Sequence, residues 1–229
     1  VGVNWNSRWS EVWSTRVGVS RGTDRYETAP STYLTDTTVD SWLLRNELRV
    51  GPGRLTVDLE RREDQLENAS TTPVDTQRHQ NALALGYGLR AGEHTLQLNA
   101  RRDDDSEFGA HTTGSLAYGY ALSRTLQLTG SVGTAFRAPT LFQRFSIYGT
   151  PDLKAETARN MEAGLRWQEA ASRASVVVYR NRVKDLIDYL AGPGSCVNGV
   201  GDFAGCYGNT GRATYTGVTL AGGTTLGEV

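Results

Sequence analysis

The chain has 229 residues, 24 Lys and Arg against 25 Asp and Glu for a net charge of -1, with 26 Gly and 10 Tyr at a mean hydropathy of -0.44. No long basic block or aromatic-basic stripe is present, so nucleic acid is not an expected partner. No apolar run approaches the roughly 18 to 20 residues of a spanning helix, which excludes a helical membrane protein.

The start, Val1-Gly2-Val3, has neither an initiator Met nor the regions of a signal peptide, and a fragment that begins inside a longer chain is expected. From there, alternation with a period of two dominates. In 54–63, Leu55, Val57 and Leu59 oppose Arg54, Asp58, Glu60 and Arg62. In 82–90, Leu83, Leu85, Tyr87 and Leu89 alternate with small residues, and in 94–103 Leu96 and Leu98 oppose Gln97 and Asn99. The run 115–122 repeats the pattern with Leu116, Tyr118, Tyr120 and Leu122.

About eleven strands are predicted, over residues 1–6, 12–28, 37–50, 54–67, 77–90, 94–106, 111–122, 125–137, 159–168, 173–190 and 213–226. Short connections near 6–10, 51–53, 91–93, 123–124 and 169–172 take turns with longer ones near 28–36, 68–76, 103–109, 138–157 and 191–211. In a meander this places all tight turns at one rim and all long loops at the other. The predicted fold class is all-β, an antiparallel transmembrane β-barrel present in part. Trp5, Trp9, Trp13 and Trp167 sit near short turns, where an interfacial girdle belongs. Leu96 and Leu98 are assigned to the lipid face, with Gln97 and Asn99 in the lumen. Arg54, Asp58, Glu60, Arg62, Arg101 and Arg137 are also assigned to the lumen, because an Arg facing lipid near the midplane costs roughly 2 to 4 kcal/mol.

Three runs carry a family likeness. Residues 136–157 read FRAPTLFQRFSIYGTPDLKAET, 178–190 read VYRNRVKDLIDYL, and 209–220 read NTGRATYTGVTL. In this order they resemble the signature of TonB-dependent receptors, and the second and third are most similar to the cobalamin receptors of that family. Thr150 and Thr219 depart from the usual Asn and Glu. Pro139 and Pro151 suit strand ends because they donate no backbone hydrogen bond. The first 135 residues resemble the family only as alternating strands. The resemblance implies about eleven strands of a 22-strand barrel, all 229 residues belonging to it, in the bacterial outer membrane. It also implies energy-coupled import of a scarce metal chelate, cobalamin first, with a metal-siderophore complex as the alternative substrate. A passive porin or a surface-adhesin barrel is the reading from another class. The family's plug domain and TonB box have no counterpart in this sequence, so TonB would be reached through a plug outside it. The lumen charges above would contact that plug or hydrate the channel.

Cys196 and Cys206 lie ten apart in a Gly-rich stretch without nearby His, which supports a loop disulfide better than a metal site, two buried free thiols being the alternative. Asp103, Asp104, Asp105 and Glu107 lack the spacing of a calcium loop and are read as solvated rim charges. No nucleophile motif or metal spacing is present, so neither an enzyme nor a resident metal or cofactor is expected. Arg144, Phe145, Tyr148, Tyr189 and Tyr207, in the long loops around 144–148 and 189–207, combine flat apolar surface with hydrogen-bonding tips. They are the candidate contacts for a bulky chelate.

Overall fold

The computed structural model describes residues 1–30, 33–68, 75–192 and 205–225. They form one eleven-stranded antiparallel sheet in simple meander order. Its strands are β1 (Gly2–Arg8), β2 (Trp13–Thr28), β3 (Tyr33–Val50), β4 (Gly53–Asn68), β5 (Asp75–Ala91) and β6 (His94–Asp105), followed by β7 (Gly109–Ala121), β8 (Leu126–Arg137), β9 (Glu156–Glu169), β10 (Ser172–Leu190) and β11 (Cys206–Thr224). A five-residue helix, α1 (Leu141–Phe145), lies between β8 and β9. Tight turns alternate with the other connections as predicted. Gly51 and Gly92 take φ of 57° and 58° in two tight turns, a region that costs other residues more.

Several strands run further toward the long-loop rim than predicted. β3 starts at Tyr33, β9 at Glu156, and β11 at Cys206 rather than at residue 213. The Gly-rich composition around Gly205, Gly208 and Gly211 suggested a loop there. Pairing decides otherwise, because Cys206 to Thr210 continue the ladder opposite Leu190 to Leu186. Tyr189 and Tyr207 are therefore strand residues and direct cross-strand partners, not loop residues. Residues 69–74 of the predicted connection 68–76 and most of 191–211 fall outside the described residues, as does Cys196. Cys206 itself is fully buried and disulfide-bonded.

The two faces of the sheet differ in chemistry, as the period-two pattern requires. Arg45, Asp58, Ala84, Arg101 and Thr113 stand in one cross-strand row. With Arg54, Gln97 and Asn99 they line a cavity of about 650 Å³ on the polar side. The other face is apolar and open. Leu48, Leu55, Tyr87, Leu98, Leu116, Val132 and Met161 form one row across six strand pairs, and Leu98, Leu116, Val132 and Met161 are all exposed. In water such a surface would be an aggregation site; it is the outward band of a barrel wall.

Aromatic residues border that band at the short-turn rim. Trp5, Trp9 and Trp13 cluster with ring centroids 5.9 and 5.8 Å apart, the first pair edge-to-face and the second tilted. The Trp9 indole donates to Thr15 Oγ1 at 2.9 Å and the Trp13 indole to Asn46 Oδ1 at 3.0 Å, so the polar edges are satisfied while the rings stay exposed. Tyr118 continues the border, its hydroxyl 2.6 Å from His94 Nδ1. One end apolar and one end wet is the chemistry of an interfacial girdle.

Candidate functional site

At the long-loop rim, the segment from Ala138 to Ala155 folds back over the polar face, and its first motif residues fix it there. Thr140 caps α1, accepting from Gln143 N at 3.0 Å while Gln143 Oε1 accepts from Thr140 N at 3.0 Å. This capping box was readable in the run Thr140-Leu141-Phe142-Gln143 but was not predicted. Pro139 is fully buried and Leu141 nearly so. Beneath them the buried Arg78 of β5 donates to Pro139 O at 2.6 Å and to Asp64 Oδ2 at 2.7 Å. Its Nε lies 3.5 Å from Asp105 Oδ2.

The three motif runs converge at two carboxylate and amide clamps. Glu156 closes the first run: it accepts from Arg137 Nη2 at 2.7 Å and from the Ile187 backbone N–H of the second run at 2.6 Å. Burial alone would raise the Glu156 carboxyl, but these hydrogen bonds and the Arg137 charge outweigh it. The group is held below its ordinary range, at a point beyond the apolar band. Asn209 of the third run is the second clamp. It accepts from Lys154 N at 2.8 Å and donates to Lys154 O at 3.0 Å and to Asp185 O at 2.7 Å. Side chains thus supply hydrogen bonds that a loop backbone leaves unmade.

Above the clamps, Tyr148, Tyr189 and Tyr207 form one edge-to-face cluster, with centroid distances of 6.0 Å for Tyr148–Tyr189 and 5.5 Å for Tyr189–Tyr207. Phe142 meets Tyr207 at 6.2 Å. Two backbone contacts tie the loop to β11: Tyr207 N donates to Tyr148 O at 3.0 Å, and Thr150 Oγ1 donates to Tyr207 O at 2.6 Å. Burial, with Tyr189 and Tyr33 adding to it, pushes the Tyr207 hydroxyl above its ordinary range, so it stays a neutral donor. Arg144 and Phe145 lie apart from this cluster. The Arg144 guanidinium sits over Phe145 at 4.6 Å and Phe108 at 5.2 Å, donates from Nε to Pro151 O at 2.9 Å, and is ion-paired with Glu107.

The acidic run is not the solvated rim expected from its sequence. Asp103 and Asp105 are buried at 5% and 3% exposure, because alternate positions of β6 turn both toward the polar face. Asp103 accepts from Gln80 at 2.6 Å and Arg101 at 2.8 Å, and Asp105 caps Glu107 N and Phe108 N at 2.9 and 3.1 Å. Only Asp104 points to the opposite face.

Residues 1–227 match a family model described as TonB dependent receptor-like, beta-barrel. The chain belongs to the TonB-dependent receptor β-barrel family. Over 102 residues it is 38% identical to the vitamin B12 transporter BtuB of Vibrio vulnificus (strain YJ016), a match covering 44% of this chain and 17% of that protein. The fold is similar to the siderophore receptor PirA from Pseudomonas aeruginosa, with a TM-score of 0.83 at 20% identity over 95% of this chain and 44% of that one. The FrpB iron transporter from Neisseria meningitidis gives 0.71 at 14% identity, over 99% of this chain and 42% of that one. At these identities the structural likeness speaks for fold. The chain spans under half the length of these solved receptors.

Family members are outer-membrane transport receptors rather than enzymes, and the arrangement of charge in this member suits a wall, not a reaction centre. All six predicted lumen charges lie on the polar face, and each is ion-paired there, Glu60 and Arg101 with one another. Asp58 pairs with Arg45 at 2.6 Å, Glu60 with Arg101 at 2.6 Å, Arg62 with Asp64 at 2.6 Å and Arg54 with Glu47 at 3.4 Å; Arg137 holds Glu156. Period-two spacing could have found Asp64 and Asp103. Arg78 gave no such signal, since a basic residue near a strand end reads as solvated.

Proposed function

We propose that this barrel segment belongs to a TonB-dependent receptor that imports cobalamin across the outer membrane by energy-coupled transport, with TonB acting through a plug outside this sequence. The observation that carries the substrate is the 38% identity to a vitamin B12 transporter over 102 residues. The Tyr148, Tyr189 and Tyr207 cluster supports it: three flat rings with hydroxyl tips at the long-loop rim suit a large amphipathic ligand. Arg144 and Phe145 brace the loop that presents Tyr148. The paired charges of the polar face, including Arg54, Asp58, Glu60, Arg62 and Arg101, line the lumen and meet the plug. Equilibrium binding of cyanocobalamin to the full-length receptor tests the reading. Saturable binding supports it, and selective binding of a ferric siderophore instead would move the protein to the other substrate class.

A further inference from the structure

Five cations share the apolar face of β9, β10 and β11 at the edge of the band and directly beyond it. The register fixes their layout. Arg159 is the cross-strand partner of Arg182, Lys184 is the partner of Arg212, and Arg180 stands opposite Met161 at the edge of the band. All five are exposed. Below them on the same face lie Leu165, Val176 and Leu220 in one row and Ala163, Val178 and Val218 in the next. Like charges placed directly opposite in a sheet oppose pairing, yet here two such pairs adjoin. The carboxylate that approaches them is Asp185, 3.9 Å from Lys184 Nζ. On the polar face, by contrast, Asp58, Asp64 and Glu60 lie at salt-bridge distance from Arg45, Arg62 and Arg101.

Height along the strand says what meets this patch. Trp167 and Arg159 on β9 bracket the apolar rows, eight positions apart, or roughly 27 Å along the strand at about 3.4 Å per residue. Strand tilt brings that near the height of an outward apolar band, about 25 Å. The patch therefore sits where hydrocarbon gives way to headgroups. Long Arg and Lys stems can lie along the last apolar row while their charged ends reach the headgroup layer.

We propose that Arg159, Arg180, Arg182, Lys184 and Arg212 form a docking site for the phosphate groups of an outer-leaflet lipid. Guanidinium groups bind phosphate oxygens through paired N–H donors, and a bound phosphate removes the repulsion within each cross-strand pair. Continuity with the lipid-facing band selects a lipid over a soluble anion, since acyl chains can cover Val178, Val218 and Leu220 while the headgroup meets the cations. The site does not depend on which chelate the receptor carries.

The test uses the full-length receptor in detergent, with lipid binding followed by native mass spectrometry. Bisphosphorylated lipid A should bind at least tenfold more tightly than the same lipid stripped of phosphate. In the variant Arg159→Gln/Arg182→Gln/Lys184→Gln/Arg212→Gln that preference should fall to within twofold, with binding of the stripped lipid unchanged. Arg90→Gln/Arg124→Gln/Arg166→Gln/Arg173→Gln removes the same charge near the short-turn rim and should keep the preference. Should the first variant not insert, Arg159→Gln/Arg182→Gln and Lys184→Gln/Arg212→Gln separately should each reduce the preference severalfold. A wild-type receptor that does not distinguish the two lipids overturns the proposal. So does a preference that survives these variants, or displacement of the lipid by inorganic phosphate.

Discussion

The guanidinium of Arg78 reaches the carbonyl of Pro139, 61 residues away in sequence, at 2.6 Å while its other side meets Asp64. One buried side chain thereby joins the barrel wall to the first motif of the family. Two acids and a carbonyl surround Arg78 and offset the cost of burying its charge.

Arg78→Ala leaves Asp64 and Asp105 in a buried site without their cation, and removing one partner of a buried pair costs about 3 to 5 kcal/mol. Arg62 also pairs with Asp64, which places the expected loss at the lower end of that range. Urea unfolding of the full-length receptor in detergent should show a clearly lower midpoint, and limited proteolysis should cut between residues 138 and 155. A variant with wild-type midpoint and an uncut loop would remove Arg78 from the anchor.

The Glu156 clamp gives a pH dependence of known sign. Its folded carboxyl lies below the ordinary value of 4.5, so its contribution is fully present above about pH 4.5 and is lost as pH falls through the lower folded value. Hydrogen exchange at the Ile187 amide, corrected for its intrinsic pH dependence, should therefore lose protection in acid. In Glu156→Gln the protection should be low at every pH. Equal acid sensitivity in the two proteins would assign the effect elsewhere.

The wall of the barrel was legible because each strand writes its two faces in alternate letters. Leu55, Val57 and Leu59 against Asp58, Glu60 and Arg62 suffices to orient β4. The rim was less legible, because there the same letters serve two purposes. Asp103 and Asp105 look like a solvated acidic run until period two is applied to them, and Asn209 looks like a loop residue until its amide is seen to bridge Lys154 and Asp185. Of the candidate contacts, the sequence named Tyr148, Tyr189 and Tyr207 but not their pairing. It grouped Arg144 with them, although that side chain is occupied by Glu107, Phe108 and Pro151.

Cys206 is disulfide-bonded and fully buried, and Cys196 is the other cysteine of the sequence. A bridge between them would close a short ring at the top of β10 and β11, and closing a loop of about 15 residues contributes roughly 3 kcal/mol in the chain-entropy model. Intact mass of exported, non-reduced receptor should be lower by two hydrogens than after reduction. Reduction should also lower the melting temperature. Two freely alkylated thiols in the native protein would rule the bridge out.

The Tyr cluster is the decisive place to probe substrate. Tyr189 and Tyr207 face each other across β10 and β11, and Tyr148 is brought to them by the loop that Arg78, Glu156 and Asn209 hold down. Replacing Tyr148, Tyr189 and Tyr207 together by Ala should weaken cyanocobalamin binding to the full-length receptor by at least about 1.4 kcal/mol, a factor of ten. Loosened packing accounts for part of that loss, since each edge-to-face pair contributes about 0.5 to 1.5 kcal/mol. Tyr148→Phe/Tyr189→Phe/Tyr207→Phe keeps the rings and removes the hydroxyls, so the difference between the triple variants separates ring contact from hydrogen bonding. If both bind cobalamin as the wild type does, and both are correctly inserted, the cluster packs the rim and the chelate is held elsewhere.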